Sequence, residues 1–151
     1  MEIYKPTYFK VHEFVPEIVY LSRGELAWEL LDINLVKTWD ELRTMRGKSI
    51  TLNNYKYGGD RQNQGLRLPS YYGKKPSYSQ HQYGRGGDGR ENSHATIKEQ
   101  VEFVRTAKSL GALEHLTGVE VGVEWLHLDT RPCDRLNKEG LFFFNREGII
   151  N

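Results

Sequence analysis

The stretch Ser79-Gln-His-Gln-Tyr-Gly-Arg-Gly-Gly-Asp88 sets an imidazole and a carboxylate seven residues apart within a glycine-rich segment. On one straight strand, His81 and Asp88 would lie roughly 23 Å apart and point to opposite faces. The glycines between them free the backbone to turn, and their number disfavours a helix. The stretch therefore predicts a turn that brings both side chains to one point, as the first half of a metal site.

A second stretch, Glu124-Trp-Leu-His-Leu-Asp129, lies about forty residues further along the chain. Its His127 supplies a third ligand, and two imidazoles with one carboxylate can hold a metal and leave a position open. Strand alternation would place His127 and Asp129 on one face and Glu124 on the other. Glu124 therefore reaches the metal only if the strand bends at its start.

The chain has 151 residues, and we expect one domain spanning residues 1–151. Its formal net charge of +1 gives no general reason for a polyanionic partner, but residues 55–90 contain seven basic and two acidic side chains. Cys133 is the lone cysteine, so histidines and carboxylates must hold any metal. The sequence contains neither a signal-peptide pattern nor an apolar run of about eighteen residues, which predicts synthesis in a cytoplasm without an export signal and no membrane span.

Hydrophobic periodicity and capping residues predict an α+β fold, because helices and antiparallel-looking strands are segregated along the chain. Residues 8–20 are predicted to form an extended arm or an edge strand around Pro16. Ser22 and Glu25 form a capping-box pattern for a first helix that carries Leu26, Leu30 and Leu31. Further helices are predicted at 35–45 and at 95–110 with Ser93 as cap, strands at 49–52, 119–123, 125–130 and 141–144, and a structureless loop at 53–77.

These motifs resemble those of a family of zinc peptidases. The pattern Ser-x-His-x-x-Gly-x-Ala-x-Asp is met by Ser79, His81, Gly84 and Asp88, with Gly86 where alanine is usual. Glu-x-x-His is met by Glu124 and His127, within a Trp-x-His-x-Asp-x-Arg setting that Asp129 and Arg131 complete, and Gly65-Leu-Arg-Leu-Pro69 is similar to the family's Gly-Tyr-Arg-Thr-Pro. From about Phe9 to Phe144 the chain thus resembles D-alanyl-D-alanine carboxypeptidases and dipeptidases and L-alanyl-D-glutamate endopeptidases, which share their fold with the hedgehog signalling domain.

The resemblance implies a small antiparallel sheet with helices packed on one side, and a zinc ion held by His81, Asp88 and His127. It implies that Glu124 is the general base and that Arg67 contacts the substrate's carboxylate or scissile carbonyl. Ser79 and Arg61 are further substrate-binding candidates, Arg61 because it shares a loop with Arg67. Asp129 is expected to orient a zinc-bound histidine rather than to bind zinc itself. Leu66, where the family has tyrosine, leaves the substrate class open.

The function expected from this resemblance is zinc-dependent cleavage of peptidoglycan stem peptides, as a carboxypeptidase or as an L-Ala-D-Glu endopeptidase. Residues 53–59 look more like phage-encoded members, which favours a role in phage lysis or on the virion, at the cell wall and alongside other phage structural proteins. One alternative is a non-catalytic zinc-binding structural or peptidoglycan-binding module. Another is a single-strand nucleic-acid surface at residues 55–90, which the metal motif disfavours, so that we expect no nucleic-acid partner.

Overall fold

A computed structural model describes residues 3–150, which combine helices with one six-stranded sheet. The helices are α1 (Glu17–Arg23), α2 (Ile33–Arg46) and α3 (Ile97–Ser109). The strands are β1 (Ile50–Thr51), β2 (Gly86–Glu91), β3 (Gly118–Glu120), β4 (Leu126–Asp129), β5 (Phe142–Asn145) and β6 (Gly148–Ile149). Their order in the sheet is β1-β2-β4-β3-β5-β6, which confirms the α+β class.

The two faces of the sheet have different roles. One face carries Leu128, Val119 and Phe143, which belong to the hydrophobic core. Helix α2 packs on this face where β2 has glycines: a Cβ at Gly87 would lie 2.5 Å from Nε1 of Trp39. Helix α3 covers the same face further along, where Arg105 stacks on Phe143. The opposite face is left free for the side chains of a site.

Helix α2 follows its sequence signals closely. The side chain of Asp32 caps its first turn by accepting a hydrogen bond from the backbone N–H of Asn34 at 3.0 Å. Gly47 ends the helix in the left-handed conformation, with φ of 61°. Leu35, Trp39 and Leu42 are buried on one side, as their spacing predicts. Helix α2 thereby presents a rigid apolar stripe to the sheet.

Helix α3 lies close to its predicted range but has a different cap. Thr96 accepts a hydrogen bond from the backbone N–H of Glu99, and the Glu99 carboxylate accepts one from the backbone N–H of Thr96. This reciprocal capping box starts the helix at Ile97. Ser93, the predicted cap, instead accepts a hydrogen bond from the backbone N–H of Ala95 in the preceding turn.

The prediction of an extended arm or edge strand at residues 8–20 is wrong. This segment forms a 3-10 turn at Val11–Glu13 and helix α1, with Pro16 as the residue before the first helical position. The aromatic and β-branched residues that suggested a strand, Phe9, Val11, Phe14 and Val15, are buried in the core. Burial against other elements outweighs their strand propensity.

The predicted capping box at Ser22 and Glu25 does not form. Ser22 donates its hydroxyl to the carbonyl of Val19 within α1, and Gly24 ends that helix. A 3-10 helix over Gly24–Leu30 follows, which buries Ala27 and Trp28 rather than the expected leucines. Leu26 is 61% exposed, so the leucine spacing does not mark a core face here.

The predicted strands pair differently from a purely antiparallel sheet. Strands β3 and β5 are parallel neighbours, whereas the other pairings are antiparallel. Strands β2 and β6 lie outside the predicted ranges, because a run such as Gly-Gly-Asp-Gly has little strand propensity.

Residues 53–77 contain only two short 3-10 turns, at Tyr55–Tyr57 and Pro69–Tyr72, as predicted for a long loop. Within residues 3–150, no helix has the length and apolar character needed to cross a membrane.

Candidate metal centre

The free face of the sheet carries a row of four side chains on neighbouring strands. Asp88 of β2 lies opposite His127 of β4, and His127 lies opposite Glu120 of β3. Glu120 in turn is the partner of Phe144 in β5. Residues directly opposite each other in a sheet have Cβ atoms about 4.5–5.5 Å apart, so one carboxylate stands on each side of the His127 ring.

His81 joins this row from outside the sheet. It lies in a 3-10 turn over Gln80–Tyr83, which Gly84 ends with φ of 67°. A Cβ on Gly84 would also lie 2.3 Å from the carbonyl oxygen of Leu30, so both the turn and the close backbone approach require glycine. The turn reverses the chain between His81 and Asp88, as the sequence predicted.

Side chains of His81, Asp88 and His127 form a buried group whose ligand atoms all lie within 4.8 Å of one another. Nε2 of His81 lies 3.3 Å from Oδ1 of Asp88, and Nδ1 of His127 lies 2.7 Å from the same oxygen. Two ligands about 2.1 Å from a tetrahedral zinc ion would be roughly 3.4 Å apart. The His81–Asp88 distance already fits this value, and the three side chains can hold a metal ion once the His127–Asp88 pair opens by about 0.7 Å.

The second nitrogen of each histidine has a partner of its own. Nδ1 of His81 donates to the carbonyl of Gly65 at 2.7 Å, and Nε2 of His127 donates to Oδ2 of Asp129 at 3.0 Å. These bonds leave Nε2 of His81 and Nδ1 of His127 directed at Asp88, which is the arrangement that metal-binding histidines need. Asp129 thus orients the ring of His127 through this hydrogen bond.

Asp129 is itself fixed by its surroundings. Arg131 donates to both carboxylate oxygens, with Nε 2.8 Å from Oδ1. A Cβ on Gly118 of the neighbouring strand would lie 2.1 Å from Oδ1 of Asp129, so glycine makes the space that this carboxylate fills. The guanidinium of Arg131 also lies over the Phe144 ring, 4.4 Å from its centroid. Together these contacts hold the imidazole of His127 in one orientation.

Two of the three side chains have pKa values shifted in the direction that suits a cation site. Burial would raise the pKa of the Asp88 carboxyl, but hydrogen bonds from His127 and His81 hold it well below its usual range. Burial lowers the pKa of His81. Burial also opposes a charge on His127, yet its hydrogen bonds to Asp129 and Asp88 raise its pKa to about 9. The hydrogen bond between Nδ1 of His127 and Oδ1 of Asp88 uses two of the atoms that a metal ion would bind, so metal binding must displace its proton.

An open cavity of about 370 Å³ lies above the group. Its volume falls within the range of small-molecule sites, at roughly 300–1,000 Å³. The lining residues combine the three candidate ligands with aromatic, charged and uncharged polar side chains: Arg67, Tyr78, Ser79, Gln80, His81, Asp88, Glu120, Trp125, His127, Arg131, Phe144 and Arg146. Burial raises the pKa of the Glu120 carboxyl, and the nearby Asp88 adds to this effect, whereas His127, Arg146 and Arg67 oppose it.

Of the other predicted site residues, some line the cavity and some lie away from it. Arg67 lines the cavity and donates to Oδ2 of Asp88 at 2.9 Å, and Ser79 lines the cavity as well. Arg61 is not among the lining residues; its backbone N–H donates to the side chain of Asn54 within the long loop. Glu124 is exposed in a bend before β4 and also lies outside the lining. The structure thus assembles the predicted ligands and Arg67 but does not bring Glu124 to them.

No protein-family model, curated protein or solved structure matches this chain. Functional inference therefore depends on the side chains that the fold brings together.

Sequence reasoning missed the cavity residues Glu120, Phe144, Arg146, Tyr78 and Gln80. For Glu120 a signal was available, because it is a lone carboxylate between valines in a predicted strand, and such a residue faces away from the core. Which face that is, and which histidine lies opposite, depends on the pairing of β3 with β4. No local pattern encodes that pairing.

A larger groove of about 920 Å³ lies between α3 and the core-side face of β5. Its floor is apolar, with Val101, Val121 and Phe143, and on its rim Arg105 pairs with Glu139 at 2.7 Å. The described lining contains no histidine or cysteine and no converging group of metal ligands. The candidate metal ligands therefore lie on the other face of the sheet.

Proposed function

We propose that this protein is a zinc-dependent peptidase that cleaves peptidoglycan stem peptides. The observation that carries the proposal is the buried group of His81, Asp88 and His127 at the base of an open cavity. Three protein ligands and a free position are the arrangement of a hydrolytic metal site, whereas structural zinc sites are closed by four protein ligands.

The donor set favours zinc. Two imidazole nitrogens, which are borderline ligands, combined with one carboxylate oxygen suit zinc better than magnesium or calcium, which take mostly oxygen ligands. When bound, zinc would polarise the scissile carbonyl and lower the pKa of a water molecule. The protein's own contribution is to fix the imidazoles through Gly65 and Asp129 and to bury the carboxylate between them.

The rest of the cavity suits an acidic peptide. Arg67, Arg131 and Arg146 place three guanidinium groups around the candidate ligands. Arg67 and Arg131 are paired with Asp88 and Asp129, whereas Arg146 forms no ion pair with any residue between 3 and 150. A guanidinium at a rim can bind a carboxylate in bidentate geometry, and stem peptides carry carboxylates at D-glutamate and at the C-terminus.

We propose that the protein acts at the cell wall, either during phage lysis or as part of the virion. The support for this setting is the resemblance of residues 53–59 to phage-encoded members of the peptidase family. We likewise propose the hedgehog type of α+β fold. The six-stranded sheet with α2 and α3 on one face supports it. The free face with its row of Asp88, His127 and Glu120 is where such a fold would place a zinc site.

Mass spectrometry of fragments released from purified sacculi tests the proposal. The zinc-loaded protein should release stem-peptide fragments with one defined new terminus, which also identifies the bond that is cut. Chelation should stop release and added zinc should restore it. The Asp88→Asn variant should release no fragments, while the His94→Ala variant, changed at an exposed histidine, should match the wild type. Zinc-loaded protein that cleaves no stem-peptide bond would rule the proposal out.

A second candidate is a zinc-binding module without catalysis, on a phage particle or on peptidoglycan. The observation that favours it is the exposure of Glu124, the base that the resemblance implies, away from the cavity. Stoichiometric zinc together with binding to sacculi, but without release of any fragment, would support this candidate.

A further inference from the structure

Glu120 occupies a position beside the candidate ligands that no sequence motif assigns. It stands opposite His127 in the sheet, on the side away from Asp88. It lines the same cavity as the three ligands, and among the lining residues Asp88 and Glu120 are the acids. Asp88 is occupied by two histidines and Arg67, which leaves Glu120 as the carboxylate available to a bound molecule.

The carboxylate of Glu120 has no direct partner in the described part of the chain. Its side chain is half-buried, and it forms no hydrogen bond or ion pair with another residue of the described chain, residues 3–150. The other buried or half-buried acids nearby behave differently. Asp88 and Asp129 each have several hydrogen-bonded partners. A carboxylate that faces a cavity without a protein partner is free to accept a proton or a hydrogen bond from a ligand there.

Glu124 has the opposite placement. It is exposed in the bend over residues 122–125, whereas its neighbour Trp125 lines the cavity. Alternation along the chain explains this, because Trp125 shares the orientation of His127 and the residue before it points away. The bend before β4 therefore leaves Glu124 turned away from the cavity.

We propose that Glu120, rather than Glu124, is the general base of the site, an assignment that rests on the proposed function. The Glu120 carboxylate takes a proton from the water whose oxygen bonds to the carbonyl carbon of the peptide. It then passes that proton to the nitrogen of the scissile bond, so that the C–N bond breaks and the products are a carboxylic acid and an amine, which ionise to a carboxylate and an ammonium group. No further reactant is needed, since water supplies every atom that is added.

Binding of acetohydroxamate tests the assignment without relying on turnover. This probe binds an open zinc position and offers a hydroxyl to an adjacent carboxylate. With zinc-loaded protein, Glu120→Gln should keep one zinc per chain and an unchanged melting temperature, but should bind acetohydroxamate at least about tenfold more weakly. Glu124→Gln should bind it as the wild type does. Equal binding by the wild type and Glu120→Gln, or a loss confined to Glu124→Gln, would overturn the assignment.

Turnover separates this inference from the proposed function. If the wild type cleaves sacculi, Glu120→Gln should be about 10²–10⁴-fold slower, while Glu124→Gln should stay within about twofold. Cleavage by Glu120→Gln at the wild-type rate would overturn the role of Glu120 and leave the peptidase intact. Hydroxamate binding that depends on Glu120, in a wild type that cleaves nothing, would refute the peptidase but keep Glu120 as the ligand-facing carboxylate. A chain that binds no zinc would overturn both.

Discussion

Nε2 of His127 lies 3.0 Å from Oδ2 of Asp129, and both side chains are buried. The hydrogen bond directs the opposite nitrogen, Nδ1, towards Asp88. Asp129 therefore sets which nitrogen of His127 is offered to a metal, although it lies two residues away and on the far side of the ring.

Replacing Asp129 should weaken metal binding without removing a ligand. Partners of this kind change metal affinity by about 10–100-fold, so Asp129→Asn should raise the zinc dissociation constant by that factor. Competition with a chromophoric chelator measures it, and circular dichroism checks that Arg131 without its partner still allows folding. Asp134→Asn, at an exposed carboxylate, is the control. An unchanged dissociation constant in Asp129→Asn would show that the hydrogen bond does not position His127.

The glycines of β2 provide a stability test. A Cβ at Gly87 would lie 2.5 Å from Nε1 of the fully buried Trp39 and 3.1 Å from Leu52, so Gly87→Ala overfills the core. Overpacking of this kind costs about 1–3 kcal/mol in the free energy of unfolding. At Gly86 the nearest contacts of an added Cβ are 3.0–3.2 Å, and Gly86→Ala should cost less. Urea denaturation of the two variants compares them, and a larger loss at Gly86 would contradict this packing.

Glu13 should make stability depend on pH. Burial raises the pKa of its carboxyl to about 7 from an ordinary value of 4.5, although the backbone N–H of Lys10 donates to it at 2.9 Å. The folded state thus binds this proton more tightly than the unfolded state does. The resulting stabilisation is complete below pH 4.5 and is lost as the pH rises through 7.

The Glu13→Gln variant removes this dependence. Between pH 5 and 8 the wild type should lose about 2 kcal/mol more stability than Glu13→Gln does. Urea denaturation of the metal-free protein at both pH values measures the difference. The exposed Glu17→Gln is the control and should follow the wild type. Parallel curves for the wild type and Glu13→Gln would mean that Glu13 keeps its ordinary pKa in the folded state.

The sequence was informative where local chemistry decides the structure. The apolar spacing of Leu35, Trp39 and Leu42 and the stop at Gly47 predicted helix α2. Likewise, the spacing of His81 and Asp88 predicted that both are candidate ligands, because the glycines between them let the chain turn and bring the two side chains together.

Tertiary packing decided what local signals could not. Strand β2 has an unfavourable composition for a strand, and its glycines are explained by the indole of Trp39, which comes from a helix some fifty residues earlier. The N-terminal segment has strand propensity, yet it forms turns and a helix because Phe14 and Val15 are buried in the core. Glu120 becomes a site residue only through the register of β3 against β4.

Metal content tests the central claim most directly. After exchange into zinc and removal of the excess, inductively coupled plasma mass spectrometry should find one zinc per wild-type chain and per His94→Ala chain. The variants His81→Ala, Asp88→Asn and His127→Ala should each hold far less than one zinc while remaining folded by circular dichroism. A wild type that holds no zinc, or full zinc content in all three ligand variants, would contradict the assignment of His81, Asp88 and His127 as a metal centre.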